Sequence, residues 1–140
     1  MTMPSPKTAE QWTAFGQPFL PGLLGIEVLQ IDHGLARLCM PITQAHFAPN
    51  GFLHAGAIVT LADTACGYGC VASLPQGASG FTTIELKSNH MGTAREGQIE
   101  VAAKLFHGGR TTQVWDAQVL HGEKVIALFR CTQMILYPKA

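Results

Sequence analysis

The chain has 140 residues, enough for one domain with its own core and too few for two. Charged residues make up only 13% against 47% apolar ones, and the formal net charge is zero, which argues against a nucleic-acid binder. A chain this short and this poor in charge does not easily hide its apolar surface alone, so a second copy is expected to cover part of it.

In chain order, Lys7 to Phe15 reads as a short leading helix stopped by Gly16 and Pro18. Pro4 and Pro6 before it, and Lys7 and Glu10 within it, leave no apolar core of a signal peptide. The cysteines, Cys39, Cys66, Cys70 and Cys131, form no CxxC pair and read as reduced, buried thiols. A cytoplasmic protein is expected. Residues 1–20 form a helix and lead-in, and residues 21–140 form the body of a single domain.

Gly22 to Ile31 reads as a strand, Asp32-His33-Gly34 as a turn, and Leu35 to Ile42 as a second strand with Ala36, Leu38, Met40 and Ile42 on one face. Pro41, Pro49, Asn50 and Gly51 mark a loop.

From about His54 to Leu74 runs the long helical candidate, with Ile58, Leu61, Ala62, Ala65, Cys66 and Gly69 at three- and four-residue spacing. Its twenty residues from Ala55 approach the length of a membrane span. Asp63 in the middle would cost roughly 2.5–3.5 kcal/mol in lipid, so a buried core helix is the better reading and no membrane partner is expected. Gly67 and Gly69 each cost about 1 kcal/mol against alanine, a cost that close backbone-to-backbone packing under a sheet would offset. Cys66 and Cys70, at i and i+4, suit a metal by spacing alone; no paired histidine supports it, so core packing is favoured and no metal is expected.

Beyond Pro75, Gly77 and Gly80 the pattern is strand after strand: Thr82 to Asn89, Gln98 to His107, Thr111 to Leu120 and Lys124 to Leu136. In the first, Ile84 and Leu86 alternate with Thr83, Glu85, Lys87 and Asn89. His107-Gly108-Gly109-Arg110 and His121-Gly122-Glu123 are hairpin turns. The last strand is apolar on both faces, as a central strand or one covered by a neighbouring subunit would be. An antiparallel sheet with one long helix on a face is an α+β layout.

The chemistry concentrates in Asn50 to Ala65. A glycine-containing turn enters the helix, so its first amides lack intrahelical partners and offer a site for an oxyanion. Ala55 and Gly56 leave room for a ligand to approach, and His54 is placed to polarise a carbonyl or simply to start the helix. Asp63 is the sole carboxylate of the helix and needs a partner, water or a job. Eight residues at about 1.5 Å each set it roughly 12 Å from Ala55 along the axis. One carbonyl therefore does not meet both within one helix. If both act together, Asp63 comes from a second copy whose helix runs antiparallel.

These residues resemble the hotdog-fold thioesterase superfamily, specifically the phenylacetic-acid-degradation type related to hydroxybenzoyl-CoA thioesterases. The family pattern His-Gly-Gly, Leu-Ala-Asp (or Glu) and a later Gly-Arg turn stands here as His54-Ala55-Gly56, Leu61-Ala62-Asp63 and Gly109-Arg110, within a match over roughly residues 20–137. The resemblance implies a sheet wrapped around one central helix and hydrolysis of acyl-CoA thioesters bearing an aromatic or medium-chain acyl group. Asp63 would be nucleophile or general base, the Ala55 amide the oxyanion donor, and His54 a hydrogen-bonding residue near the thioester. It implies no cofactor, and a homodimer assembling into a homotetramer. Family members often carry Asn or Gln where Ala48 stands; Asn50 is its candidate substitute, or a turn residue. Ser or Thr often occupies the position of Gly67. Arg110, beside Gly109, suits a coenzyme A phosphate or is a hairpin surface charge. Thr83, Lys87, Asn89 and His90 are further candidates for coenzyme A contact. The rival readings are a hydratase or dehydratase of the same fold and a non-catalytic acyl-CoA-binding protein.

Overall fold

The computed structural model describes residues 5–139; Pro4 and Ala140 lie outside them. Helix α1 spans Ala9–Gly16, where Thr8 and Gln11 form a reciprocal capping box. The chain then departs from the expected strand. Pro21 favours a helical start, and a one-turn helix α2, Leu20–Leu23, forms instead. Gly25, with φ of 75°, turns the chain out of it, and β1 begins only at Glu27, running to Asp32.

The remaining elements follow the sequence pattern: β2 Leu35–Pro41, α3 Ala55–Ala72, β3 Gly80–His90, β4 Gln98–Gly108, β5 Thr112–His121 and β6 Lys124–Leu136, with a short 3-10 turn at Gln44–His46. The strands form one antiparallel sheet in the order β1-β2-β4-β5-β6-β3. The sheet packs around α3, and Ala36, Leu38, Met40, Ile99, Val101 and Trp115 meet Leu61, Ala65 and Cys66 in the core. The apolar run long enough to cross a membrane is thus the core helix of this sheet.

The glycines of α3 admit aromatic rings rather than backbone. A Cβ at Gly69 would stand 2.5 Å from the Trp115 ring, and one at Gly67 would stand 3.1 Å from Phe81. Trp115 is held by its indole N–H donating to Gln113 Oε1 (2.7 Å), and Gln113 Nε2 donates to Ser73 O at the end of α3 (2.8 Å). The helix is thereby fixed against the sheet at its far end.

β6 is flanked on both sides, by β5 and β3, as its two apolar faces suggested. β3 is an edge strand. A bulge between Thr83 and Glu85 shifts its register, and Ile84 and Leu86 are 53% and 44% exposed rather than packed inside.

Candidate active site

The loop before α3 is tied down at several points. His46 is buried, its Nδ1 accepting from Thr43 N–H (3.1 Å) and its Nε2 bonded to Leu24 O (2.8 Å). Arg95 donates to Gly51 O (2.6 Å) and lies over the Phe52 ring, while Leu53 N–H donates to Thr93 Oγ1 (3.0 Å). Asn50 accepts from Phe52 N–H (3.2 Å), so its side chain stabilises the turn.

His54 is the N-cap of α3, and its Nδ1 accepts the Gly56 N–H at 2.8 Å. Two consequences follow. The neutral imidazole carries its proton on Nε2, which is left as a donor. The Gly56 amide, which the sequence offered as an oxyanion donor, is spent on the cap. The Ala55 N–H retains no partner among the described residues, and Ala55 is exposed. This amide opens into a cleft of about 480 Å³ lined by Phe52, Leu53, Ala55, His90, Thr93 and Lys124. A free helix amide and a lysine on one cleft favour negative charge there.

Asp63 lies on the same helix but in a different cavity. A smaller cleft of about 150 Å³ opens beside it, with Phe15, Pro21, Gly67, Tyr68 and Phe81 in its walls. Its Oδ1 is buried with no hydrogen-bond partner among the described residues. Burial raises the Asp63 carboxyl above its ordinary value, so the ionised form is held at a cost and is correspondingly reactive. The neighbouring thiols are poor nucleophiles: Cys66 is pushed well up by burial and Cys70 to about 12, so both stay protonated in the core.

The candidate coenzyme A residues are dispersed. His90 lines the Ala55 cleft. Lys87 and Asn89 point to the opposite face of the sheet, into a cleft where Arg130 and Asp116 form a bidentate pair, because neighbours along a strand alternate in direction. Thr83 donates its hydroxyl inward to Gln133 Oε1 (2.6 Å). Gly109 and Arg110 sit at the β4–β5 turn, where Gly109 N–H donates to Thr112 O and the Arg110 guanidinium lies 6.0 Å from the Tyr137 ring. That turn is separated from Lys124 by the length of β5, roughly 30 Å. Sequence reasoning missed Lys124, Thr93 and Arg95, and the cleft residues Phe15, Pro21 and Phe81. A lysine after a hairpin turn and aromatic residues in separate elements carry no local signature.

Residues 50–127 match the family model of the thioesterase superfamily, a span that holds both the capped helix start and Asp63. The chain belongs to that superfamily, has its hotdog fold, and is a thioester hydrolase. It is 31% identical over 110 residues to the 1,4-dihydroxy-2-naphthoyl-CoA hydrolase of Listeria monocytogenes, covering 78% of this chain and 89% of that relative. It is also 31% identical over 109 residues to the acyl-coenzyme A thioesterase PaaI of Escherichia coli, covering 76% and 75%. The crystal structure of a mutant thioesterase from Pseudomonas aeruginosa superposes with a TM-score of 0.87 at 28% identity, covering 93% of this chain and 94% of that one.

Proposed function

We propose that the protein is a cytoplasmic acyl-CoA thioesterase whose active site is shared between two copies of the chain. The observation that carries this reading is the separation on α3: the free Ala55 amide and the unpartnered Asp63 open into different clefts of one chain, roughly 12 Å apart along the helix. The thioester carbonyl lies against Ala55 N–H, beside the His54 Nε2–H, and its oxygen gains stabilisation as it becomes negative. The partner subunit's Asp63 either attacks the carbonyl carbon, expelling the coenzyme A thiolate and leaving a mixed anhydride that water then hydrolyses, or takes a proton from the water that attacks it, the thiolate leaving as the tetrahedral intermediate collapses. Lys124 and His90 line this cleft, and in this reading they face the coenzyme A moiety.

The means of pairing is the edge of β3, eleven residues long with exposed Ile84 and Leu86. Unpaired strand edges template association, and two-fold pairing of β3 with itself runs the two α3 helices antiparallel on one side of a continuous sheet. The exposed Phe19, Leu20 and Leu23 on and before α2 supply further apolar surface for a pair of dimers. The four buried, unpaired thiols support the cytoplasmic setting.

Mixing two dead variants tests the shared site. Ala55→Pro removes the amide hydrogen and closes a ring on that nitrogen at the first helical position, which proline tolerates, and His54 already has the extended backbone (φ −62°, ψ 130°) that precedes proline. Asp63→Asn removes the carboxylate. A heterodimer of the two contains one intact site, so an equimolar mixture refolded together regains about a quarter of wild-type turnover of an acyl-CoA. No recovery, with each variant folded and dimeric, would place the site within one chain.

A further inference from the structure

The small cleft beside Asp63 has three walls from distant parts of the chain. Gly67 and Tyr68 come from α3, Phe81 from β3, and Phe15 and Pro21 from the N-terminal pair α1–α2. The N-terminal wall is anchored. Trp12 is buried, its ring 5.0 Å from that of Tyr68, and Phe15 stands 5.8 Å from both. The Tyr68 hydroxyl reaches the backbone of Gly16 so closely that a Cβ there would collide with it. Thr13 Oγ1 accepts from Val28 N–H (2.9 Å), tying α1 to β1, and His46 holds the end of α2 through Leu24 O. Tyr68 is therefore wedged between aromatic rings and a glycine, with Phe15 beside it in the same wall.

Size decides what such a wall admits. An enclosed apolar cavity of about 150 Å³ takes up a single benzene ring, and the part of this open cleft that one chain bounds has about that volume. Gly67 contributes to the space, since a Cβ there would point at the Phe81 ring from 3.1 Å.

We infer that the α1–α2 segment, through Phe15, Pro21 and the wedged Tyr68, is the wall that limits the acyl group, holding it to about one aromatic ring or an aliphatic chain of similar bulk. This rests on the thioesterase reading of the same site. The carbonyl stands at the Asp63 carboxylate, and the acyl group beyond it enters the cleft until it meets the Tyr68 and Phe15 rings. A bicyclic or long-chain acyl group does not fit without displacing α1.

The test is a panel of propionyl-, benzoyl-, phenylacetyl-, naphthoyl- and dodecanoyl-CoA, followed by free-thiol release from the full chain and from three variants. Wild type should favour benzoyl- and phenylacetyl-CoA over the two larger substrates. Tyr68→Ala and Phe15→Ala should raise kcat/KM for naphthoyl- and dodecanoyl-CoA relative to benzoyl-CoA by about tenfold, the scale on which an apolar pocket discriminates by size. Gly67→Ala should move the preference the other way, toward propionyl-CoA, and alanine is favoured over glycine inside a helix, so this variant keeps the fold. Equal use of all five by wild type, or active variants whose ratios do not move, would overturn the wall and leave the hydrolase reading intact. Failure of wild type to release thiol from any of them would overturn both.

Discussion

The first turn of α3 and its third turn, around Asp63, differ in nearly every physical respect. At the first turn the backbone is exposed, one amide is unspent, and the cleft is wide with Lys124 and His90 at its edge. Around Asp63 the cleft is about a third of that volume, largely apolar, and leaves a carboxylate oxygen without a donor. The contrast teaches how one helix carries an unspent amide and an unpaired carboxylate without letting them neutralise each other. A carboxylate within reach of the helix's own free amides would be stabilised by them and made a weaker base or nucleophile. Two further turns of helix prevent that, and in the proposed shared site it is a second chain that brings the complementary parts together.

The largest expected effect comes from removing the carboxylate. Asp63→Asn should lower kcat by about 100- to 10,000-fold, the range of a positioned acid–base group, measured as thiol release under saturating substrate. Its stability should move the other way. Burial raises the Asp63 carboxyl above its ordinary 3.8, so the folded chain holds that proton more tightly than the unfolded one. The stabilisation is fully present below about 3.8 and is lost as pH climbs through the raised value, which leaves a buried charge as a burden at neutral pH. Thermal unfolding at pH 7 should accordingly show a higher Tm for Asp63→Asn. A lower Tm there would mean that the carboxylate is a structural partner across the proposed dimer.

Ala55→Pro alone should cost about 100- to 1,000-fold in kcat, as loss of one oxyanion donor does, while the helical circular dichroism stays that of wild type. His54→Asn sharpens the same end of the helix, since asparagine keeps a capping oxygen but lacks the Nε2–H donor. About a tenfold loss of kcat with an unchanged Tm is expected, the scale of one hydrogen bond. Equal activity would reduce His54 to its capping role. The smallest effect on turnover should be that of Gly69→Ala, away from both clefts. Its Cβ would be pressed against Trp115, an overpacking cost of about 1–3 kcal/mol, partly offset by about 1 kcal/mol of helix propensity. A denaturation midpoint below wild type with kcat preserved is the expected result.

Much of the molecule was legible from local pattern. The hairpin turns, the alternation of β2 and β4 and the periodicity of α3 each reflect interactions within a few residues, and the observed elements fall close to those expected. The positions of His54 at the helix start and of Asp63 within α3 were legible because their spacing lies along one continuous stretch of helix. Less legible was α2, where Pro21 and Gly25 overrode an apolar run that reads as strand. Gly56 was misjudged because the sequence does not say that a histidine ring turns back onto the next turn's amide.

What the sequence determined by itself was the layout of strands around one apolar helix, and the placing of an amide-rich helix start eight residues before a lone carboxylate. Both are consequences of period and spacing along the chain. Only the tertiary structure decided that Lys87 and Asn89 face away from His90, that Arg110 lies a full strand from the Ala55 cleft, and that Phe15 and Pro21 wall the space beside Asp63. Those facts depend on strand order, register and the docking of α1 through Trp12. Contacts between residues far apart in the chain are set by which surfaces pack together, and local spacing carries no record of that choice.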